Sequence, residues 1–294
     1  MIHGLTSAAL LLILSSALAW AGFDLLRKLL AREISPLALL ALNCTASTPL
    51  FALWAALDGG FHASPSYWAP ALASVALNVA SNLLYLEALR TADLSLTVPL
   101  LSLTPAFAAL LAIPLLGERP SLGDGLGIAL VVIGAFALRA PAVGGGQASR
   151  LRGLLGQRGL WLMAGTAFLW SLATPLDKLA VGRSTPPVHA TVLNAGVALS
   201  TLLALALRRE LSQLRQVARR PGLFVLSQAV AAIALGAQLA ALATVWVSVV
   251  ETCKRAIGNL CAVVVGRIAF GEPLTPRKLA AVVVMAAGVA LILL

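Results

Sequence analysis

Residues 251–259, Glu-Thr-Cys-Lys-Arg-Ala-Ile-Gly-Asn, place three charges and an amide between two apolar runs, 235–250 and 260–270. At helical spacing Glu251, Lys254, Arg255 and Gly258 fall on one face, three and four residues apart. A charged side chain at the centre of a membrane helix costs about 2.5–3.5 kcal/mol on insertion scales, so this cluster needs partners, water or a ligand. Lys254 and Arg255 form a clamp for a carboxylate or phosphate, the guanidinium as a planar fork and the ammonium as a point charge. Glu251, expected to pair with Arg255, holds the clamp when no ligand is bound or carries a proton. Asn259, one turn on, offers a hydrogen bond to a polar ligand tail. The competing reading is a helix end in the interfacial zone, with both cations snorkelling to head groups.

Other polar groups fall into two kinds. Asn78, Asn82 and Tyr85 share a face at i, i+4 and i+7, with Glu87 close by; such a stripe lines a cavity or joins helices. Asn43, Asn194, Gln228 and Gln238 read as helix-joining amides. Asp24, Arg27 and Lys28 end the first span, and Asp177 and Lys178 end the sixth. Both sets read as ion pairs at a membrane boundary or as gates on opposite faces.

The elements that must position these residues follow from composition. Of 294 residues, 60% are hydrophobic and 11% charged, with a mean hydropathy of +0.95. Soluble domains carry roughly 25% charged residues, so most of this chain belongs in lipid. Apolar runs near 20 residues and the abundance of Ala and Leu favour helices over the alternating ten-residue strands of a barrel. The expected fold is therefore all-α and integral to the membrane. The net charge of +10 is an orientation signal flanking the spans and implies no nucleic-acid partner. Cys44, Cys253 and Cys261 form no C-x-x-C pair, and His3, His62 and His189 have no metalloenzyme spacing. No metal or cofactor is expected. Without a zinc pair, paired Asp residues or a serine-nucleophile motif, an intramembrane enzyme is disfavoured. Ala17-Leu18-Ala19 mimics a signal-peptide cleavage site, but the preceding residues lack Lys and Arg, so a retained first helix is expected.

Ten apolar segments are expected near 5–27, 36–57, 67–88, 94–116, 124–140, 159–180, 188–207, 222–243, 247–270 and 277–294. Pro99 and Pro105 in the fourth, with Pro49 and Pro175 elsewhere, predict bends. Residues 139–159 hold Pro141, three consecutive glycines and three arginines, a linker composition at the chain's midpoint. A shift of 150 aligns Trp20 with Trp170, Lys28 with Lys178 and Pro36 with Pro186. One extra residue brings Asn43 onto Asn194. A shift of 154 aligns Gly117-Glu118 with Gly271-Glu272 and Gly134 with Gly288. The order and nearly constant offset point to duplication, with a first repeat at 1–143, a linker at 144–158 and a second repeat at 159–294. Five spans per repeat insert the second upside down, which places a substrate site near the midplane between repeats. Glu118 and Glu272 are expected to meet the N-terminus of the span that follows each.

These matched residues, and the paired Gly-Glu turns above all, resemble the EamA-type repeats of the drug/metabolite transporter superfamily over essentially the whole chain. The resemblance implies a ten-helix exporter or exchanger with a central cavity, alternating access and no nucleotide cofactor. The Lys254-Arg255 pair is similar to the phosphate-binding pair of plastid phosphate translocators in the same superfamily. The expected partners are a small anionic or zwitterionic metabolite and membrane lipid, with the protein a monomer or homodimer in a bacterial inner membrane. Trp20 joins the expected substrate-binding set. A flippase for a phosphate-bearing lipid or polyprenyl carrier uses the same cations and differs by a lateral opening. Sixteen of the 21 basic residues lie on the side opposite the termini and three on the terminal side, Lys254 and Arg255 being within a span. The positive-inside rule then puts both termini outside, whereas the resemblance implies both inside.

Overall fold

A computed structural model describes residues 6–91, 98–139, 158–270 and 275–293. These form ten α-helices: α1 (Ser7–Leu30), α2 (Pro36–Leu57), α3 (Trp68–Thr91), α4 (Thr104–Leu116), α5 (Leu122–Arg139), α6 (Arg158–Val181), α7 (Pro186–Leu207), α8 (Pro221–Leu242), α9 (Val247–Phe270) and α10 (Pro276–Leu293). No strand occurs among the described residues. Local chemistry sets the boundaries. Thr6 Oγ1 caps α1 by accepting from Ala9 N at 3.1 Å, and proline opens α2, α7, α8 and α10, where its missing N–H is harmless. Ser121 and Asp124 cap α5 reciprocally, at 3.1 and 2.7 Å.

The expected fourth span is broken. Val98–Leu103 is a 3-10 segment that leads into α4. Pro105 has no N–H to give Leu101 O, and the Thr104 hydroxyl donates to that carbonyl instead, at 2.6 Å. A second 3-10 turn, Pro65–Tyr67, precedes α3, and a third, Leu211–Arg219, joins α7 to α8.

The closest helix pairs all join one half of the chain to the other. α3 packs on α6, α1 on α8, α2 on α7, α5 on α10, α4 on α6 and α1 on α9. Advancing every helix by five positions within the set of ten returns the same pairs, as a two-fold relation between inverted repeats requires. Single contacts obey the relation too. Ser16 Oγ donates to Ala234 O across α1 and α8 at 2.9 Å, and Thr166, at the position matching Ser16, donates to Ser81 O across α6 and α3 at 3.5 Å. At the α5–α10 seam a Cβ on Gly127 would stand 2.6 Å from Gly288 O, and one on Gly288 would stand 2.6 Å from Gly127 O. Backbones meet there without side chains between them.

Five helices, α1, α2, α7, α8 and α10, are long and apolar enough to cross a membrane by length and composition alone. α6 packs on α3 and also touches α9, and these three helices carry Asn78, Asn82, Thr174, Asp177, Glu251, Lys254 and Arg255.

Candidate functional site

Glu251 is fully buried on α9 and accepts from Lys254 Nζ, three residues along the same helix. The expected Glu251–Arg255 pair is not formed. Lys254 Nζ also reaches Gln238 Oε1 of α8 at 3.3 Å and lies 5.9 Å from the centre of the Trp20 ring. Thr174 of α6 donates to Glu251 Oε1 at 3.3 Å. Arg255 turns the other way because Trp170 and Thr104 receive it. Its guanidinium carbon stands 5.7 Å from the Trp170 ring centre and Nη2 lies 3.5 Å from Thr104 Oγ1. The Thr104 hydrogen is committed to Leu101 O, so its oxygen is free to accept from Arg255. Arg255 Nε is buried without a hydrogen-bond partner, and the side chain makes no ion pair among the described residues. The two tryptophans matched across the repeat thus flank adjacent cations, Trp20 at Lys254 and Trp170 at Arg255.

A third cation approaches from α1. Arg27 pairs with Asp24, as expected of this set, but its side chain is only 15% exposed. It lies 4.8 Å from the Phe23 ring centre and 5.2 Å from that of Tyr85, and Tyr85 in turn lies 5.3 Å from Trp170. In the order Arg27, Tyr85, Trp170, Arg255 a pair of touching aromatic rings is flanked by a cation on either side. With Asp24, Glu251 and Lys254 the group holds three cations and two carboxylates, one net positive charge.

Beside it lies a cavity between α1, α2, α3, α7 and α8. Its polar lining includes Arg27, Asn43, Ser47, Asn78, Asn82 and Asn194, and its apolar lining includes Trp20, Phe23 and Phe51. Of the expected substrate-binding residues, Trp20, Asn78 and Asn82 line this cavity. Lys254, Arg255 and Tyr85 lie in the adjoining charge cluster, and Trp20 contacts both regions. Asn259 is held away from the cavity and is within 3.3 Å of Ser102 Oγ. Asn43 accepts from Gln228 at 2.7 Å, joining α2 to α8 as expected, and lines the cavity as well. Arg27 as a cavity residue was not visible in sequence, where its place at a helix end reads as an interfacial ion pair. The aromatic residues around it (Phe23, Tyr85) were the available signal.

At the helix ends the structure corrects two expectations. Asp177 does not form a boundary pair with Lys178; it is buried against Ser74 and His189. Lys178 Nζ instead bonds Glu118 Oε1 at 2.6 Å and Val245 O at 2.7 Å. Nor does Glu118 serve the helix that follows it. Gly117 ends α4 with φ +68°, a left-handed turn that glycine adopts without strain. Past this turn Glu118 Oε2 accepts from Val247 N, the first residue of α9, at 3.0 Å. The carboxylate meets a helix N-terminus, but in the other repeat. Its counterpart Gly271-Glu272 and most of the 144–158 linker lie outside the described residues. Lys28 makes no ion pair among the described residues, so the expected symmetry between Lys28 and Lys178 is not seen there.

Fold and site together define a ten-helix membrane protein of two inverted repeats with a polar, charged centre. The family model of the EamA-like transporter family matches residues 7–140 and again residues 157–294. The chain belongs to this family, and is a multi-pass membrane protein of the drug/metabolite transporter type. Among solved structures, one described as "Crystal structure of protein" superposes with a TM-score of 0.75 over 97% of this chain and 97% of its own, at 18% identity. That likeness concerns the fold alone. The curated proteins contain no significant sequence match.

Proposed function

We propose that the protein is a secondary transporter, an exporter or exchanger, of small organic anions or zwitterionic metabolites, working by alternating access in a bacterial inner membrane. The observation that carries this reading is Arg255, a half-buried cation in mid-span whose Nε is buried without a hydrogen-bond partner and which makes no ion pair with a carboxylate among the described residues. Its charge is only partly solvated and has no counter-ion from the protein there. An anionic ligand supplies the missing counter-ion, and the planar fork suits a carboxylate or phosphate. The net positive charge of the cluster favours the same sign of ligand. The amide and aromatic lining of the adjoining cavity, with Arg27 at its wall, suits a small molecule with a polar head and an apolar body.

The test is a thermal-shift series on the purified protein with carboxylates, phosphates, amino acids and phosphate-bearing lipids. Ligand that binds only the folded state stabilises it by about 2.7 kcal/mol at a hundredfold excess over Kd. Stabilisation by small anions or zwitterions that is lost in Arg255→Ala is expected. Stabilisation by phosphate-bearing lipid alone would replace this reading with a flippase.

A further inference from the structure

Four side chains that the binding site does not require form one hydrogen-bonded chain. Tyr67 Oη lies 3.2 Å from His189 Nδ1, and His189 Nε2 lies 3.0 Å from Asp177 Oδ1. Ser74 Oγ donates to the same Asp177 oxygen and accepts from Asn78 Nδ2 at 3.1 Å. Tyr67, Ser74 and His189 are fully buried and Asp177 is 5% exposed. The chain therefore runs from a buried imidazole and carboxylate to Asn78, which lines the cavity.

With Asp177 ionised and His189 neutral, these bonds can be satisfied in one way. His189 Nε2–H donates to Asp177, so Nδ1 is bare and accepts from the Tyr67 hydroxyl. Ser74 spends its hydrogen on Asp177 and so has lone pairs only for the Asn78 amide. One proton taken from water changes this pattern. It adds to Nδ1, the phenol turns from donor to acceptor, and the net charge of the group goes from minus one to zero. The imidazolium then draws on the carboxylate that Ser74 serves, and the hold of Ser74 on Asn78 changes with it.

Few other charges face the group. Lys178, next to Asp177 on α6, is held by Glu118 and Val245 O. From α9, Glu251 is bonded to Thr174, three residues before Asp177 on α6, and is paired with Lys254. Arg183, beyond α6, donates to Ser66 O in the turn that carries Tyr67. Helices α2, α4 and α8 contain no charged residue; Cys44 of α2 packs near Val75 and Leu193, and Glu87 and Arg90 lie at the far end of α3.

We propose that Asp177 and His189 are a proton-binding dyad, linked through Ser74 to Asn78 at the cavity wall, so that proton uptake and cavity occupancy influence one another. As a coupling site for a proton it rests on the transport reading; as a proton site it does not.

The test follows ring-nitrogen NMR signals of the full chain, labelled at histidine, in lipid nanodiscs. His3→Gln and His62→Gln leave His189 as the sole imidazole. The Nε2–H tautomer is expected at high pH, giving way to imidazolium as the pH falls. Asn78→Ala is expected to move the midpoint by about half a pH unit or more, roughly threefold in proton affinity. By reciprocity, a cavity residue that alters proton binding is itself altered by it. A His189 that keeps one protonation state from about pH 5 to 9 overturns the dyad, as does a midpoint that Asn78→Ala leaves in place for the link. Neither readout needs a transported ligand, so its failure is distinct from failure of the thermal-shift series.

Discussion

Arg255 and Lys254 are neighbours in sequence but opposites in energetics. Lys254 has Glu251, Gln238 and the Trp20 face, whereas Arg255 has a ring face and one hydroxyl. Removing a cation that lacks a counter-ion relieves a penalty, and removing one that has a buried partner creates one. Without ligand, Arg255→Gln is therefore expected to raise the melting temperature while abolishing ligand-induced stabilisation. Lys254→Gln is expected to lower it, through a loss of about 3–5 kcal/mol of stability, because Glu251 is left buried and unpaired. Differential scanning fluorimetry of both variants checks the opposite signs. Sequence gave the place and face of this cluster because charges stand out in an apolar run. It misassigned the partner of Glu251, since Trp170 and Thr104, which draw Arg255 away, come from distant elements.

Elements are held at their ends by contacts that cross between repeats. The Gly117 turn sends Glu118 to Lys178 on α6 and to the first N–H of α9, so one carboxylate joins three segments. Glu118→Ala leaves the largely buried Lys178 ammonium without its counter-ion, Val245 O remaining as its one acceptor, and the N-terminus of α9 without the carboxylate that caps it. A loss of about 3–5 kcal/mol is expected, read as a lower midpoint in denaturation. At the α5–α10 seam, Gly288→Leu would drive a side chain into the Gly127 carbonyl. Overpacking of this kind costs about 1–3 kcal/mol, and a comparable fall in stability is expected in the same assay. Helix limits were legible to within a few residues because Pro36, Pro186, Pro221 and Pro276 mark the starts. The break before α4 was legible only as a bend, since proline shows that a carbonyl loses its donor but not that Thr104 replaces it. The lock at Glu118 was readable as a helix-terminus contact, though not as one made to the opposite repeat.

Over the whole molecule, every major interface joins the two halves and repeats under exchange of the halves. Such a bundle gives both faces of the membrane similar scaffolding, while the unpaired charge at the centre comes from the second half. The repeat was legible from a handful of matched residues, and Gly134 with Gly288 and Ser16 with Thr166 occupy equivalent contacts in space. Orientation is expected to follow the excess of basic residues on the side opposite the termini. A phosphatase fused after Leu294, active only outside the cytoplasm, is expected to be active; an inactive phosphatase together with an active cytoplasmic reporter would reverse that orientation. A small anion or zwitterion is expected to complete the charge at Arg255 and to be carried across the bilayer. Exchange in proteoliposomes tests it most directly, with a compound that stabilises the protein loaded inside and its labelled form supplied outside. Label is expected to accumulate through the wild-type protein and not through Arg255→Gln. Equal accumulation through both, or none through the wild type despite binding, would contradict the account.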